Sequence, residues 1–270
     1  LAARYETKIL DWKRKPPGTV QASWNRALDR WALRFSDLVL ADTQAHKDYY
    51  CQSYGVPGAK VAVLPLGYDD EVFRKISREE DSSVFLVLFF GSFLPLHGAD
   101  VIVEAAAAVA RHDLSIRFKL IGSGQTFPRV KSLADNAGLT NVLFEGWISQ
   151  ERLAQEIGAA AISLGIFGRT EKARRVVPHK IFQSMGMGKP VITCRTPAAE
   201  EFFVHKKHIY YCDAPDPELL VRAILDLKKD ESLRQKIARG GYALVRERHS
   251  PLAVGRMLND ILNGTFAFPR

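Results

Sequence analysis

From residue 84 onward the chain alternates short, continuously apolar runs with longer stretches whose apolar positions recur at helical spacing. The runs 84–90, 116–121, 141–144, 160–164, 191–194 and 209–211 predict strands; the periodic stretches 99–111, 127–137, 150–157, 179–187 and 217–228 predict helices. Strands that are apolar on both faces belong in a parallel sheet covered by helices on each side. The expected fold class is therefore α/β, a doubly wound parallel Rossmann-like sheet. Sheets of this kind bind ligands beyond the carboxyl ends of their strands, where the strand order reverses. The loops 91–98, 122–125, 145–149 and 165–178 follow such ends and are where a site is expected.

The chain before residue 68 has a different organisation. Residues 37–41 and 60–64 predict two strands around a helix at 44–54, the end of a partial second Rossmann-like unit. Ahead of them Trp24, Leu28, Trp31 and Phe35 fall at helical spacing, a stripe expected to face a core, with Arg26, Arg30 and Arg34 on the other faces. Residues 65–70 and the charged run 74–81 read as a linker. Helices at 231–247 and 251–262 close the chain and are expected to pack back on the first unit. The expected division is 1–67, a linker 68–82, a main domain 83–248 and a returning C-terminal helix in 249–270.

Composition narrows the partners. The 270 residues are 47% hydrophobic and 25% charged, with a formal net charge of +8, which suits a globular protein with an anionic partner. Nucleic acid is not the expected one: the basic residues are spread, and aromatic residues such as Phe85, Phe89 and Phe90 sit inside apolar runs instead of forming a stacking platform. Lys8, Lys13, Arg14, Lys15, Arg26, Arg30 and Arg34 are candidates to meet anionic lipid. Cys51, Cys194 and Cys212 are too scattered for a disulfide framework or a zinc site, and His205 and His208 lack a partner at metal spacing, so no metal is expected. A reducing, cytoplasmic setting follows as an expectation. No apolar run reaches the roughly 18 residues of a membrane span. The chain begins at Leu1 instead of Met, as a piece of a longer protein would.

Candidate chemistry concentrates in residues 165–180. Gly165 and Gly168 allow a ligand close to the backbone, and Arg169, Lys172, Arg174 and Arg175 supply positive charge. Pro178 suits the first position of a helix whose free N–H groups attract phosphate. Gly122-Ser123-Gly124 invites a dinucleotide reading, but Phe127 stands where a third glycine belongs and the preceding strand is internal. Glu145 reads as a strand-end surface residue, and Glu200 and Glu201 as residues capping or lining a helix start.

The motifs, in their order along the chain, carry a resemblance. Ser36-Asp37-Leu38-Val39-Leu40-Ala41-Asp42-Thr43 and Pro65-Leu66-Gly67-Tyr68-Asp69 with Phe73 form one pair of stretches. Phe90-Gly91-Ser92 with His97-Gly98, Ile121-Gly122-Ser123-Gly124, and Glu145-Gly146-Trp147-Ile148 follow. The helix from Pro178-His179-Lys180-Ile181-Phe182-Gln183 to Gly188-Lys189-Pro190 completes the set. Together they resemble the retaining, nucleotide-sugar-dependent glycosyltransferases of family 4, whose GT-B fold sets two Rossmann-like domains across a cleft. The resemblance covers residues 37 to about 260 and makes the first pair the end of the acceptor domain, the rest the donor domain.

By that resemblance the donor would be held by Gly91, Ser92, His97, Gly122, Gly124, Trp147, Ile148, Gly165, Phe167, Gly168, Lys172, Pro178 and Gln183, with Lys180 and Arg174 as the catalytic cations. Family members carry Arg and Lys on the diphosphate where this chain has Ser92 and His97, and two glutamates where it has Arg175 and Gln183. Gln183 can still hydrogen-bond ribose hydroxyls. Lys172, Arg174 and Lys180 are the candidates to replace the missing charge, since a departing diphosphate is stabilised by cations and helix N–H groups. His97 is a candidate phosphate donor able to titrate. The implied activity is a metal-independent, cofactor-free hexosyltransferase of EC 2.4 type. It would use a UDP- or GDP-sugar and a saccharide or lipid-linked acceptor in polysaccharide or glycoconjugate biosynthesis, peripheral to the inner face of the cell membrane. The alternatives are a non-catalytic nucleotide-sugar-binding module and a nucleotide-sugar epimerase on the same fold.

Overall fold

Two parallel sheets organise the chain in a computed structural model that describes residues 3–75, 84–111 and 113–264. The first sheet pairs strand β1 (Val39–Ala41) with β2 (Val61–Val63), Val39 opposite Val61, and carries helices α1 (Val20–Phe35) and α2 (Gln44–Tyr54). Both helices begin where a threonine oxygen accepts a backbone N–H, Thr19 from Ala22 and Thr43 from His46. The charged run 74–81 lies outside the described residues except for Arg74 and Lys75.

Helix α1 corrects one expectation. It turns Ala22, Asn25, Asp29 and Leu33 inward and leaves Trp24, Trp31 and Phe35 outward, 56%, 51% and 80% exposed. The aromatic stripe therefore faces solvent. Asp29 gives the reason: its carboxylate accepts from the N–H groups of Arg4 (2.9 Å) and Tyr5 (2.7 Å) and from the Tyr54 hydroxyl (3.3 Å). A buried carboxylate with these donors fixes the polar face inward, because leaving them unpaired would cost about 1–3 kcal/mol per group.

The second sheet holds β3 (Phe85–Phe90), β4 (Ile116–Ile121), β5 (Val142–Glu145), β6 (Ile162–Leu164), β7 (Val191–Cys194) and β8 (Tyr210–Cys212). Between and after them come α3 (Ala99–Ala110), α4 (Phe127–Asn136), α5 (Gln150–Ala159), α6 (His179–Gly186), the short α7 (Pro197–Glu200) and α8 (Pro217–Lys229). The strand order is β5-β4-β3-β6-β7-β8, all parallel. Successive residues of β3 feed opposite faces: Val87 and Phe89 enter one core with α3, Leu88 and Phe90 the other with Ile181, Phe182 and Met185 of α6. The predicted strand at 160–164 is shorter than expected, and that at 209–211 shifts by one residue. The order reverses between β3 and β6, so the loops after these two strands, 91–98 and 165–178, flank the switch point.

The last helices, α9 (Glu231–Arg248) and α10 (Pro251–Leu262), differ from each other. Helix α9 packs on α6 and α8, covering the second sheet's own helices instead of the first unit. Helix α10 turns at Ser250 and runs beside α9; its Ala253 and Met257 line, with Val63, Pro65 and Phe202, an interface cavity of about 690 Å³. Among the described residues no helix is long and apolar enough to cross a membrane.

Candidate functional site

The loops after β3 and β6 lie against one another. Phe167 N–H donates to His97 O (2.9 Å) and Gly168 N–H to Leu96 O (3.2 Å). A Cβ on Gly168 would stand 2.2 Å from Leu96 O, and one on Gly122 2.1 Å from Gly91 O, so only glycine permits these approaches. Gly124 packs the same way on Phe93, Gly165 sits against Thr193 of β7, and Phe167 is buried in the core. The predicted glycines thus converge, as the frame that holds three loops together at the carboxyl ends of the strands.

Lys180 occupies the centre of this frame. Pro178 is the N-cap of α6, one place ahead of the expected first position, and Lys180 follows in the first turn. Its side chain is buried; the ammonium lies 3.9 Å from the Phe89 ring centroid and against Gly91, and has no hydrogen-bond partner. Burial holds its pKa well below the ordinary lysine value. Gln183, one helical turn on and half-buried, shares this face of α6. An anion placed here would give Lys180 the charge-assisted partner it lacks.

His97 departs from expectation. It is buried, and its Nδ1–H donates to Ser92 O. Burial, reinforced by the neighbouring Lys180, pushes its pKa down to about 3, so it is neutral at ordinary pH and does not titrate there. Ser92, Ser123, Gly124 and Gln125 line an open depression of about 590 Å³ with Trp147. Trp147 stands at the end of β5, 64% exposed with its ring free, while Ile148 is half-buried against the core.

Thr170, Lys172 and Arg175 of the basic loop bond to the stretch 6–11 instead. Thr170 donates to Asp11 Oδ1 (2.9 Å), Lys172 to the Thr7 hydroxyl (2.7 Å), and Arg175 to Glu6 Oε1 through Nε (3.0 Å) and Nη2 (2.9 Å). Arg175 also stacks on Tyr49, and its carbonyl accepts from the Thr43 hydroxyl (2.6 Å). Arg169 reaches Pro215 O (2.9 Å), and Arg174 is exposed. Glu6 is fully buried, and its other oxygen meets His46 Nε2 (3.2 Å), whose Nδ1 meets Asp42 (2.6 Å). Burial opposes charge on both Glu6 and His46, but their mutual hydrogen bond, with Asp42 and the nearby cations, prevails: Glu6 is lowered and His46 raised. Burial raises Asp11.

Two further glutamates stand at element ends, as expected, and each is paired. Glu201 accepts the N–H groups of Gln44 (2.6 Å) and Ala45 (2.8 Å), so it caps a helix start on the other sheet. Glu145 is half-buried and paired with Lys119 and Arg152. Sequence reasoning missed Glu6 and Asp11, which stand in a stretch without apolar periodicity, a π-helical turn at Glu6–Asp11.

A six-stranded sheet with its switch point between β3 and β6, faced by a second parallel sheet that bonds to the switch-point loop, defines a GT-B-type protein. The family described as Glycosyl transferases group 1 matches residues 69–244, and the chain belongs to it; Glycosyltransferase Family 4 matches residues 8–72. The chain is 25% identical over 243 residues to the lipopolysaccharide core biosynthesis glycosyltransferase LpsD of Rhizobium meliloti, covering 83% of this chain and 68% of that protein. It is 29% identical over 180 residues to the D-inositol 3-phosphate glycosyltransferase of Nocardiopsis dassonvillei, covering 60% of this chain but only 41% of that one. HepE of Anabaena, solved in complex with UDP and glucose, has the same fold: TM-score 0.79 at 19% identity, over 92% of this chain and 68% of its own.

Proposed function

We propose that this chain is the donor-binding half, with part of the acceptor half, of a transferase that moves a hexose from a UDP- or GDP-sugar to a saccharide or lipid-linked acceptor, with retention and without a metal. The carrying observation is the buried, unpartnered ammonium of Lys180 at the switch point, beside the start of α6. Breaking the bond between sugar and phosphate builds charge on the departing diphosphate. Lys180 and the free N–H groups of α6 stabilise that charge, and a bound phosphate keeps Lys180 protonated. Arg174, exposed on the same loop, takes the second charge. Trp147 stacks on the base and Gln183 bonds the ribose. The UDP and glucose of HepE support the donor class, and the role of LpsD in lipopolysaccharide core biosynthesis supports a saccharide acceptor. The outward Trp24, Trp31 and Phe35 beside Arg26 and Arg30 support peripheral contact with an anionic membrane, which flotation with anionic liposomes would test.

Calorimetric titration with UDP, GDP and their sugars, followed by a transfer assay, tests the reading. Lys180→Ala should abolish binding; an affinity equal to wild type would remove Lys180 from the site. One observation favours a second reading, a non-catalytic nucleotide-sugar-binding module: Arg175, where the family has glutamate, is locked to Glu6. Binding without turnover in the same assay supports it.

A further inference from the structure

The loop after β3 brings no cation of its own to a diphosphate. Ser92 and His97 stand where the resemblance puts Arg and Lys, and His97 is held neutral. Residues 6–15, from the acceptor half, reach across the cleft. The turn Glu6–Asp11 is tied to the donor loop through Thr7 and Asp11, and Gln125 Nε2 donates to Trp12 O at 2.7 Å. The chain then passes through Lys13 at φ 50°, a left-handed state that residues with a side chain adopt only under constraint. Arg14 N–H bonds back to Lys8 O (3.0 Å), and the Arg14 guanidinium lies over the Trp12 ring, 4.3 Å from its centroid.

This turn puts Arg14 and Trp12 on the same depression as Ser92, Ser123, Gly124 and Trp147. Lys180 lies against Gly91, the residue next to Ser92. The loop that begins at Gly91 therefore has a cation from each half beside it. A guanidinium held over an indole leaves edge N–H groups for a ligand, and their fork matches two phosphate oxygens.

We propose that Arg14, carried on Trp12 by the acceptor half, binds the diphosphate of the donor across the cleft and replaces the charge that Ser92 and His97 lack. The inference rests on the reading that this chain binds a nucleotide-sugar. Donor binding then joins the two halves, because the diphosphate is held by Lys180 on one side and Arg14 on the other.

The test is calorimetric titration of the 270-residue chain with UDP, GDP, uridine and guanosine. Arg14→Ala should weaken the preferred diphosphate by about tenfold or more and leave the matching nucleoside unchanged, with Arg14→Lys between the two. Arg14 is exposed, so an unchanged melting temperature certifies the fold. Equal diphosphate affinity in Arg14→Ala and wild type overturns this inference and leaves the donor reading standing. A wild-type chain that binds neither UDP nor GDP overturns both.

Discussion

Residues 169–175 and 178–183 form one basic stretch in the sequence, yet their cations have opposite surroundings. Lys172 and Arg175 are bonded to Thr7 and Glu6 of the first unit. Lys180, five residues beyond Arg175, is more deeply buried and has no partner. The first pair ties the two halves together; the second cation is a standing cost in the folded chain, since a buried amine without a hydrogen bond is destabilising. Positive charge counted along a sequence does not separate these two roles. Burial without a partner does, and it is the mark of a group kept for a ligand.

The largest expected effect breaks the tied side of this comparison. Glu6→Gln removes the charge facing both Arg175 and His46, and truncating one member of a buried pair costs about 3–5 kcal/mol. Urea unfolding measures it. Replacing both partners, as Glu6→Leu with Arg175→Met, should recover part of the loss, because it removes the Arg175 charge that Glu6→Gln leaves unpaired. A Glu6→Gln chain as stable as wild type would mean that Arg175 is free to serve the donor.

Lys180→Met should act with the opposite sign. Removing the unpartnered amine while keeping its length should stabilise the chain by about 1–3 kcal/mol and abolish diphosphate binding. The sign carries a pH signature. Lys180 holds its proton more weakly folded than unfolded, so the unfolded chain binds more protons below the ordinary value of 10.5, and wild-type stability rises as pH climbs toward it. The advantage of Lys180→Met should shrink over the same range. A variant less stable than wild type at neutral pH would show that Lys180 has a structural partner.

His97 sharpens the comparison further, as the neutral neighbour of that cation. Its folded pKa, about 3, lies below the ordinary 6.5, so its contribution is complete above 6.5 and is lost as pH falls toward 3. Between 6.5 and about pH 5 the chain should lose about 2 kcal/mol that a His97→Asn variant retains. Parallel pH profiles for the two would place a protonated imidazole in the site.

The larger sheet was legible because covering both faces of a strand dictates continuous apolar runs, and β3, β4 and β7 fall where those runs are. Helix α1 was legible as a helix but not in its orientation, because Asp29 bonds to residues 24 and 25 positions away along the chain and no periodicity records that. The glycines were legible as positions; that Gly122 and Gly168 serve loop-on-loop contact required the strand order. Lys180 could be found from the helix start and the resemblance. Residues 6–15 were legible only as carrying basic side chains: their bonds to the donor loops reach 113 to 169 residues along the chain, and nothing local marks Glu6 or Asp11.

Lys172→Ala carries the smallest effect and the finest discrimination. Its ammonium is half-buried and donates to the Thr7 hydroxyl, so its removal should cost about 0.5–1.5 kcal/mol, the worth of one hydrogen bond. If the two halves of the basic stretch are divided as their surroundings indicate, UDP or GDP affinity should stay within about threefold of wild type, a shift below 1 kcal/mol. Lys172 is nonetheless only two residues from Arg174, and a lysine has three N–H donors, of which Thr7 takes one. A loss of affinity as large as that of Lys180→Met would therefore show that Lys172 serves Thr7 and the diphosphate together. No single line along the sequence would then divide tie from ligand site, because the tied Arg175 lies between Lys172 and Lys180.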